Sequence, residues 1–343
     1  MRKQPDNRPV ASFKSTLLLL LMQSASVGAA EEQRATIEQL VAEMSQRVEA
    51  ITRAEADDGI IPRFNQPKTV ACVKGEFRVH GDIPRELQQG LFAKAASYPA
   101  MLRFANATER DDSKKDIRGL SIKLTDVPGE VLWGEPGEQD FLLNSYPALF
   151  VATPEEFLSF MRARQEDKKL SFFLNPFDSH LKSLWIVFRA RQRTLSPVDI
   201  RYWSTVPFGL GQDQVVKYSV TPCSKHTTAW AVEPGENQLR AALKAHLQQE
   251  SACLAFGVQL QTDPQSMPIE DASVIWDEQV SPFMTVATLT IPDQSFDTPE
   301  ALAACERSRF NPWQGLAAHR PLGRMNQVRR QVYADAAKIR VKE

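Results

Sequence analysis

The side chains that could carry out chemistry are scattered along the chain and form no familiar motif. The sequence has no Gly-x-Ser-x-Gly, Gly-x-Gly-x-x-Gly, Walker or His-Glu-x-x-His pattern. A serine hydrolase, a dinucleotide enzyme, a phosphate-binding loop and a zinc protease therefore all lack their usual signature. The four cysteines are widely spaced without a Cys-x-x-Cys pair, which disfavours a zinc site and thiol exchange.

Several short segments carry polar or aromatic side chains in a definite order. An Arg63-x-x-Gln66-x-Lys68 segment precedes a predicted strand with Arg103, and Asn144 begins an Asn-x-x-Pro-x-x-Phe segment. A Phe-rich helix and the segment from Arg309 to Gly323, which contains His-Arg-Pro-Leu-Gly, follow further along. Over residues 62–326 this order resembles the haem-binding barrel of the catalase superfamily, in particular its shorter catalase-related proteins.

The resemblance implies how a haem cofactor would be held. Arg63 and Arg103 match arginines that bind the haem propionates, and a guanidinium fork suits carboxylates well. Phe150 and Phe157 match aromatic walls of the haem pocket. The resemblance thus predicts these four residues as cofactor-binding, with haem as the cofactor.

The reacting centre departs from the family on both sides. Gln66 stands at the distal histidine, and an amide cannot cycle a proton near neutral pH as imidazole does. Asn144 matches the distal asparagine that hydrogen-bonds peroxide. The family's axial tyrosine should precede the His-Arg-x-Leu-Gly segment, where this chain has no tyrosine: Pro312, Trp313, Gln314. His319 is the nearest imidazole, either as an axial ligand or as a structural histidine.

Two functions remain open on this basis. The first is a catalase-related haem oxidoreductase that acts on hydrogen peroxide or organic peroxides, with weak or no true catalase turnover, in which Gln66 and Asn144 face the oxidant. The second is a haem-free barrel that binds an apolar small molecule or has a structural role. A Phe-lined pocket would serve either one, and whether the chain is an enzyme is left undecided.

Size and charge limit the partners. A chain of 343 residues with 43% hydrophobic residues can bury a large core. The 41 basic and 42 acidic side chains nearly cancel, so no general field attracts nucleic acid. We therefore expect a small-molecule peroxide or an apolar ligand as the partner, and the oligomeric state stays open.

The N-terminus has the pattern of an export signal. Arg2 and Lys3 precede the apolar run Thr16–Met22, and small residues follow up to Ala30. The run is shorter than the roughly 20 residues that span a bilayer, so no membrane span is predicted. A disordered tail with a chance leucine run is the alternative. We expect a signal peptide over residues 1–30, cleavage near Ala29 or Ala30, and a periplasmic or secreted protein.

The cysteines allow two interpretations. An oxidising compartment would permit disulfides, although a protein of this size does not require them. Cys253 and Cys305 are the preferred pair, and buried free thiols are the alternative.

Hydrophobic periodicity predicts an α+β chain. Apolar residues at helical spacing predict helices over residues 31–54, 85–92, 154–164, 181–195 and 236–250. Alternating residues predict strands over 70–79, 101–105, 119–124, 141–143, 214–221, 227–232, 253–262 and 285–291. Strands on both sides of a helical insert favour a closed antiparallel, catalase-like β-barrel with helical insertions. Residues 31–58 are expected to form an N-terminal helical arm and residues 59–343 the barrel domain.

Overall fold

A closed antiparallel β-barrel forms the centre of the molecule. The computed structural model describes residues 35–176, 179–223 and 233–340. The strands are β1 (Lys68–Val79), β2 (Ala96–Asn106), β3 (Arg118–Leu124), β4 (Val131–Trp133), β5 (Gln139–Asn144), β6 (Tyr202–Trp203), β7 (Phe208–Leu210), β8 (Gln214–Pro222), β9 (Ala252–Leu260), β10 (Met284–Ile291) and β11 (Gly315–Leu316). Eight of them close the barrel in the order β1-β2-β3-β5-β6-β8-β9-β10, with β10 returning to β1. The predicted fold class is confirmed.

Aromatic side chains from opposite sides of the barrel fill its interior. Phe141 on β5 packs against Phe256 on β9, with ring centroids 4.9 Å apart. Phe77 on β1 and Tyr218 on β8 pack against the same ring at 5.2 and 5.5 Å. Since side chains alternate between the two faces of a strand, the neighbours of these residues point outward, toward the helices.

The helices lie outside the barrel. They are α1 (Ile37–Ala54), α2 (Pro154–Gln165), α3 (Lys169–Leu174), α4 (Leu181–Ala190), α5 (Gln238–Leu247), α6 (Pro299–Arg307) and α7 (Gly323–Arg340), with 3₁₀ turns at Arg85–Leu87, Gly90–Phe92 and Ala317–His319. None of the helices in the described ranges is long and apolar enough to cross a membrane.

Helix α1 covers one side of the molecule. Thr36 and Gln39 form a capping box that fixes its start. Leu40, Met44 and Val48, on the face predicted from the sequence, are buried in a second core that also contains residues of α2 and α7. Helix α1, the predicted N-terminal arm, therefore packs against α2 and α7.

Two predicted helices differ from the structure. Residues 85–92 form two 3₁₀ turns, because Gly90 adopts a φ of +53° and brings the backbone against His319. The helix predicted over 181–195 ends at Ala190, because Gln192 leaves it to form a backbone bridge with Asp116. The predicted strand over 227–232 and the export segment lie outside the described residues.

Both expectations about the cysteines were wrong. Cys72 bonds to Cys305 and Cys223 bonds to Cys253, with Cα separations of 5.9 and 5.4 Å. Cys253 lies beside the end of β8 because β8 and β9 pair antiparallel, so Cys223 is its neighbour. Cys305 is on α6, which packs on β1, where Cys72 points outward. Sequence spacing could not reveal either approach.

The two disulfides predict different losses of stability when they are removed. Cys72–Cys305 spans 233 residues and Cys223–Cys253 spans 30. A longer loop restricts the unfolded chain more, so we expect a double Cys→Ser change to cost about 5 kcal/mol at the first bridge and about 4 kcal/mol at the second. Urea unfolding without reductant measures both, each pair serving as the control for the other. A larger loss from the shorter loop would contradict this order.

Candidate functional site

A large cavity lies between the barrel and its covering helices. Its volume is about 1280 Å³, above the range of about 300–1,000 Å³ that is usual for small-molecule sites. Helices α1, α2, α4 and α7 and the outer faces of β2, β3 and β5 contribute to its walls. Six residues assigned to a site from the sequence line it: Arg63, Gln66, Arg103, Asn144, Phe150, Phe157.

The register of the strands brings polar groups to this outer face. Arg103 on β2 lies opposite Ser121 on β3, and Ser121 lies opposite Leu142 on β5. All three line the cavity, whereas Leu102 and Phe104, the neighbours of Arg103, are buried in the barrel core. Strand alternation thus separates an apolar interior from a partly polar outer face.

Three arginines share one carboxylate at one end of the cavity. Arg63 Nη2 donates to the carbonyl oxygens of Cys305 and Ser308, at 3.1 and 2.9 Å. Arg340 Nη2 donates to the same Ser308 oxygen at 3.0 Å. Arg103 Nε donates to Thr69 Oγ1 at 3.0 Å, and that hydroxyl donates to Glu306 Oε1 at 2.5 Å. Most partners of these guanidiniums are therefore neutral oxygens.

Over the described part of the chain, the arginine group carries excess positive charge. Burial, with the charges of Arg103 and Arg340, lowers the pKa of Arg63 to about 8, although Glu306 acts in the opposite direction. Burial likewise lowers the pKa of Arg103 to about 10. Arg63 Nε is buried without a hydrogen-bond partner among the described residues, since Glu306 Oε2 is 3.7 Å away. An anion at this end would relieve the repulsion.

Gln66 is held in an unusual backbone conformation. Its φ is +57°, a left-handed value that costs a non-glycine residue roughly 1–3 kcal/mol. Arg103 Nη2 donates to the Gln66 carbonyl at 2.9 Å, and Gln66 Nε2 donates to Asn144 Oδ1 at 2.8 Å. The two predicted catalytic residues are therefore in direct contact, and Arg103 fixes the backbone of one of them.

Gly119 makes room for the Gln66 side chain. A Cβ added at Gly119 would lie 2.0 Å from Gln66 Cδ, so no larger residue fits without moving the amide. Gly119 is opposite Asn144 in the pairing of β3 with β5. No sequence motif assigns this glycine to the site.

Aromatic rings form another wall of the cavity. Phe150 contacts Phe160 edge-on at 4.8 Å and Phe157 at 6.1 Å. Phe64 reaches Phe157 from the segment before β1, at 6.5 Å. Edge-to-face contacts of this kind stabilise ring clusters. The cavity thus has an apolar wall of the kind that accepts a flat or apolar ligand.

Helix α7 adds a tyrosine that the sequence analysis did not assign to the site. Tyr333 lines the cavity, and Arg329, one helical turn earlier, lies with its guanidinium carbon 5.2 Å from the ring centroid. Arg329 Nη2 lies 3.4 Å from Tyr333 Oη. Helical spacing could have found this face, since Met325, Arg329 and Tyr333 are four residues apart, as are Val328, Val332 and Ala336, and all of them line the cavity.

The segment before His319, where the resemblance places the iron ligand, contributes few residues to the cavity wall. Trp313 Nε1 donates to the carbonyl oxygen of Asn326 at 2.6 Å, and Gln314 Oε1 accepts from the Glu135 backbone at 2.7 Å. Only Arg309 and Phe310 of the segment from Arg309 to Gly323 line the cavity. The segment packs the start of α7 against the barrel.

His319 lies in the barrel core and does not line the cavity, which agrees with the structural alternative and not with the cofactor-binding one. The Leu91 backbone N–H donates to Nε2 at 2.9 Å, and Nδ1 lies 2.9 Å from Tyr218 Oη. Because Nε2 accepts, the neutral ring carries its proton on Nδ1 and donates it to the tyrosine oxygen. Burial lowers the pKa of His319 to about 3. It is a structural histidine.

Comparison with known proteins identifies the fold. A bacterial catalase is similar over 85% of this chain, with a TM-score of 0.62 and 17% identity, and the chain spans 59% of that protein's length. A fungal catalase gives a TM-score of 0.65 at 15% identity, covering 98% of this chain and 66% of its own. Catalase A from Saccharomyces cerevisiae gives 0.64 at 15% identity, covering 99% and 67%. No family model and no curated protein matches the sequence. The chain has a catalase-like fold.

The burial of His319 predicts a pH-dependent contribution to stability. The folded state cannot protonate His319 until about pH 3, whereas the unfolded chain does so near 6.5, so its contribution falls as the pH drops below 6.5. Asp140, whose pKa burial raises to about 7, acts in the opposite direction, so the test compares the chain with His319→Gln. We expect the difference in unfolding free energy to shrink by about 2 kcal/mol between pH 7.5 and 5 in urea titrations. A constant difference would mean that folded His319 titrates normally.

Proposed function

We propose that the cavity binds haem and that the protein is a catalase-related oxidoreductase acting on hydrogen peroxide or organic peroxides, with weak or no true catalase turnover. The observation that carries the proposal is one cavity that combines an anion-seeking arginine group with a tyrosine beside a guanidinium. The catalase-like fold supports it as an analogy.

The arginine end fits the two carboxylates of a haem. Among the residues that the structure describes, Glu306 is the carboxylate shared by Arg63, Arg103 and Arg340, so within this part of the chain the group has more positive than negative charge. Two propionates would supply that charge, and the unpartnered Nε of Arg63 offers a donor. The Phe-rich wall suits the flat apolar remainder of the haem.

Tyr333 is the residue that would bind the haem iron. A tyrosine holds iron as in catalases, and it does so best as the phenolate. Arg329 Nη2, 3.4 Å from the phenol oxygen, is placed to donate a hydrogen bond to that oxygen. Tyr146 also lines the cavity. A bound haem would supply the redox chemistry toward a peroxide oxygen–oxygen bond.

Gln66 and Asn144 would orient the substrate without taking its proton. Asn144 Oδ1 accepts from Gln66, which leaves the Asn144 amide N–H groups to donate to a peroxide oxygen. Gln66 Oε1 can accept a hydrogen bond from the peroxide. Neither amide accepts a proton near neutral pH, so the pair binds and aligns but supplies no general base.

A haem-free barrel is the second candidate. The aromatic wall of Phe150, Phe157 and Phe160 favours it, since such a surface binds apolar molecules without a metal. In that case the arginine group would hold the carboxylate of an amphipathic ligand.

Export to the periplasm or the medium is part of the proposal. The disulfides Cys72–Cys305 and Cys223–Cys253 support it, because such bonds persist mainly in oxidising compartments.

Haem binding is tested by titrating the protein with haemin. We expect one haem per chain, and Tyr333→Phe should change the visible spectrum and weaken retention, because the axial oxygen is lost. Tyr98→Phe, which alters a buried tyrosine on β2 away from the cavity, is the control. Absence of binding would favour the haem-free candidate, and a spectral change with Tyr146→Phe alone would give the axial role to Tyr146.

Peroxide turnover tests the role of Gln66. Oxygen evolution by the haem-loaded protein should be very low, and Gln66→His should raise it by roughly 10²–10⁴-fold, the usual contribution of a general base. Gln66→Asn, which keeps the amide, is the matched control and should stay inactive. Rapid oxygen evolution by the unaltered protein would show that another group accepts the proton.

A further inference from the structure

Exposed apolar side chains are concentrated on the helical insert that borders the cavity. Six of the nine large hydrophobic residues that are exposed in the described ranges lie between positions 170 and 195. Leu181, Trp185 and Phe188 are 57%, 57% and 72% exposed and lie on one face of α4. Scattered surface hydrophobics are ordinary, but a contiguous group marks an interaction surface.

Helix α4 is apolar on both of its faces. Ile186 and Ala190 are buried, and together with Val187 they line the cavity. The opposite face carries Trp185 and Phe188. A helix that is apolar all round is normally covered on every side. The outer face of α4 therefore has the character of a binding surface.

Basic side chains outnumber acidic ones around this outer face, although Lys182 and Arg191 pair with Asp271 and Glu109. The sequence from Leu181 to Arg193 contains no Asp or Glu. It contains four basic residues: Lys182, Arg189, Arg191 and Arg193. Lys114 and Lys115, which are exposed, line a shallow depression together with Phe188 and the paired side chains of Arg191 and Glu109. An aromatic stripe with flanking cations is the pattern of helices that lie in the interface of a membrane with anionic lipids.

We propose that the outer face of α4, with Lys114 and Lys115, docks on an anionic phospholipid surface. A second copy of the chain is a poorer occupant, because a two-fold contact through this face would bring the same cations together. Anionic headgroups pair with the cations while Trp185 and Phe188 enter the apolar boundary. Since the other face of α4 lines the cavity, docking would turn that wall toward the membrane.

Sedimentation with lipid vesicles tests the docking face. The full chain without haem is mixed with vesicles of phosphatidylcholine alone or with one quarter phosphatidylglycerol. The variants are Trp185→Ser with Phe188→Ser, and Lys114→Ala with Lys115→Ala. The control, Ile275→Ser with Val280→Ser, removes two other exposed apolar side chains, at 46% and 56% exposure. Circular dichroism and melting confirm that each variant folds.

We expect binding to the anionic vesicles that weakens with salt. It should fall about five-fold for each lysine removed, at least ten-fold for the α4 pair, and stay unchanged in the control. Equal binding of the α4 variant and the control would overturn the proposal, since another segment would then drive it. Equal binding to neutral vesicles, or a lipid-free dimer that the α4 pair dissociates, would also overturn it. The same variants are also titrated with haemin. Because the vesicle assay uses protein without haem, a failure of membrane binding and a failure of haem binding are distinguishable.

Discussion

Three guanidinium groups that share one carboxylate are the constraint around which the cavity is built. Buried charge is costly unless it is paired or hydrogen-bonded. In this chain Arg63, Arg103 and Arg340 donate hydrogen bonds mainly to carbonyl and hydroxyl oxygens. Glu306 is the carboxylate near them. The end of α6 provides the carbonyls, and the Cys72–Cys305 bond fastens that helix to β1. The result, within the residues that the structure describes, is a cationic end of the cavity.

Arg103 also contacts the part of the site that contains Gln66 and Asn144. Arg103 holds the carbonyl of Gln66, whose left-handed backbone places its amide against Asn144. The missing Cβ of Gly119 leaves the space that this amide occupies. The groups that would hold a ligand's carboxylates and the groups that would face its substrate are thus linked by one arginine.

The site was only partly readable from the sequence. Arg63, Arg103, Gln66 and Asn144 stand in short segments whose order resembles a known barrel, and the structure brings all four to one cavity. Tyr333 lies on α7, beyond the segment before His319 in which the resemblance places the iron ligand, so that pattern does not indicate it. That histidine is instead a core residue whose two ring nitrogens serve Leu91 and Tyr218.

The sequence by itself determined the barrel and its helical cover, because alternation of period two and apolar spacing of three to four residues are local properties of the chain. It located most strands to within a few residues, and it predicted the buried face of α1. Only the tertiary structure decided which distant residues meet. The antiparallel pairing of β8 with β9 set one disulfide, the docking of α6 on β1 set the other, and the packing of α7 placed Tyr333 in the cavity. These contacts join segments far apart in the chain, and no local pattern encodes their distance.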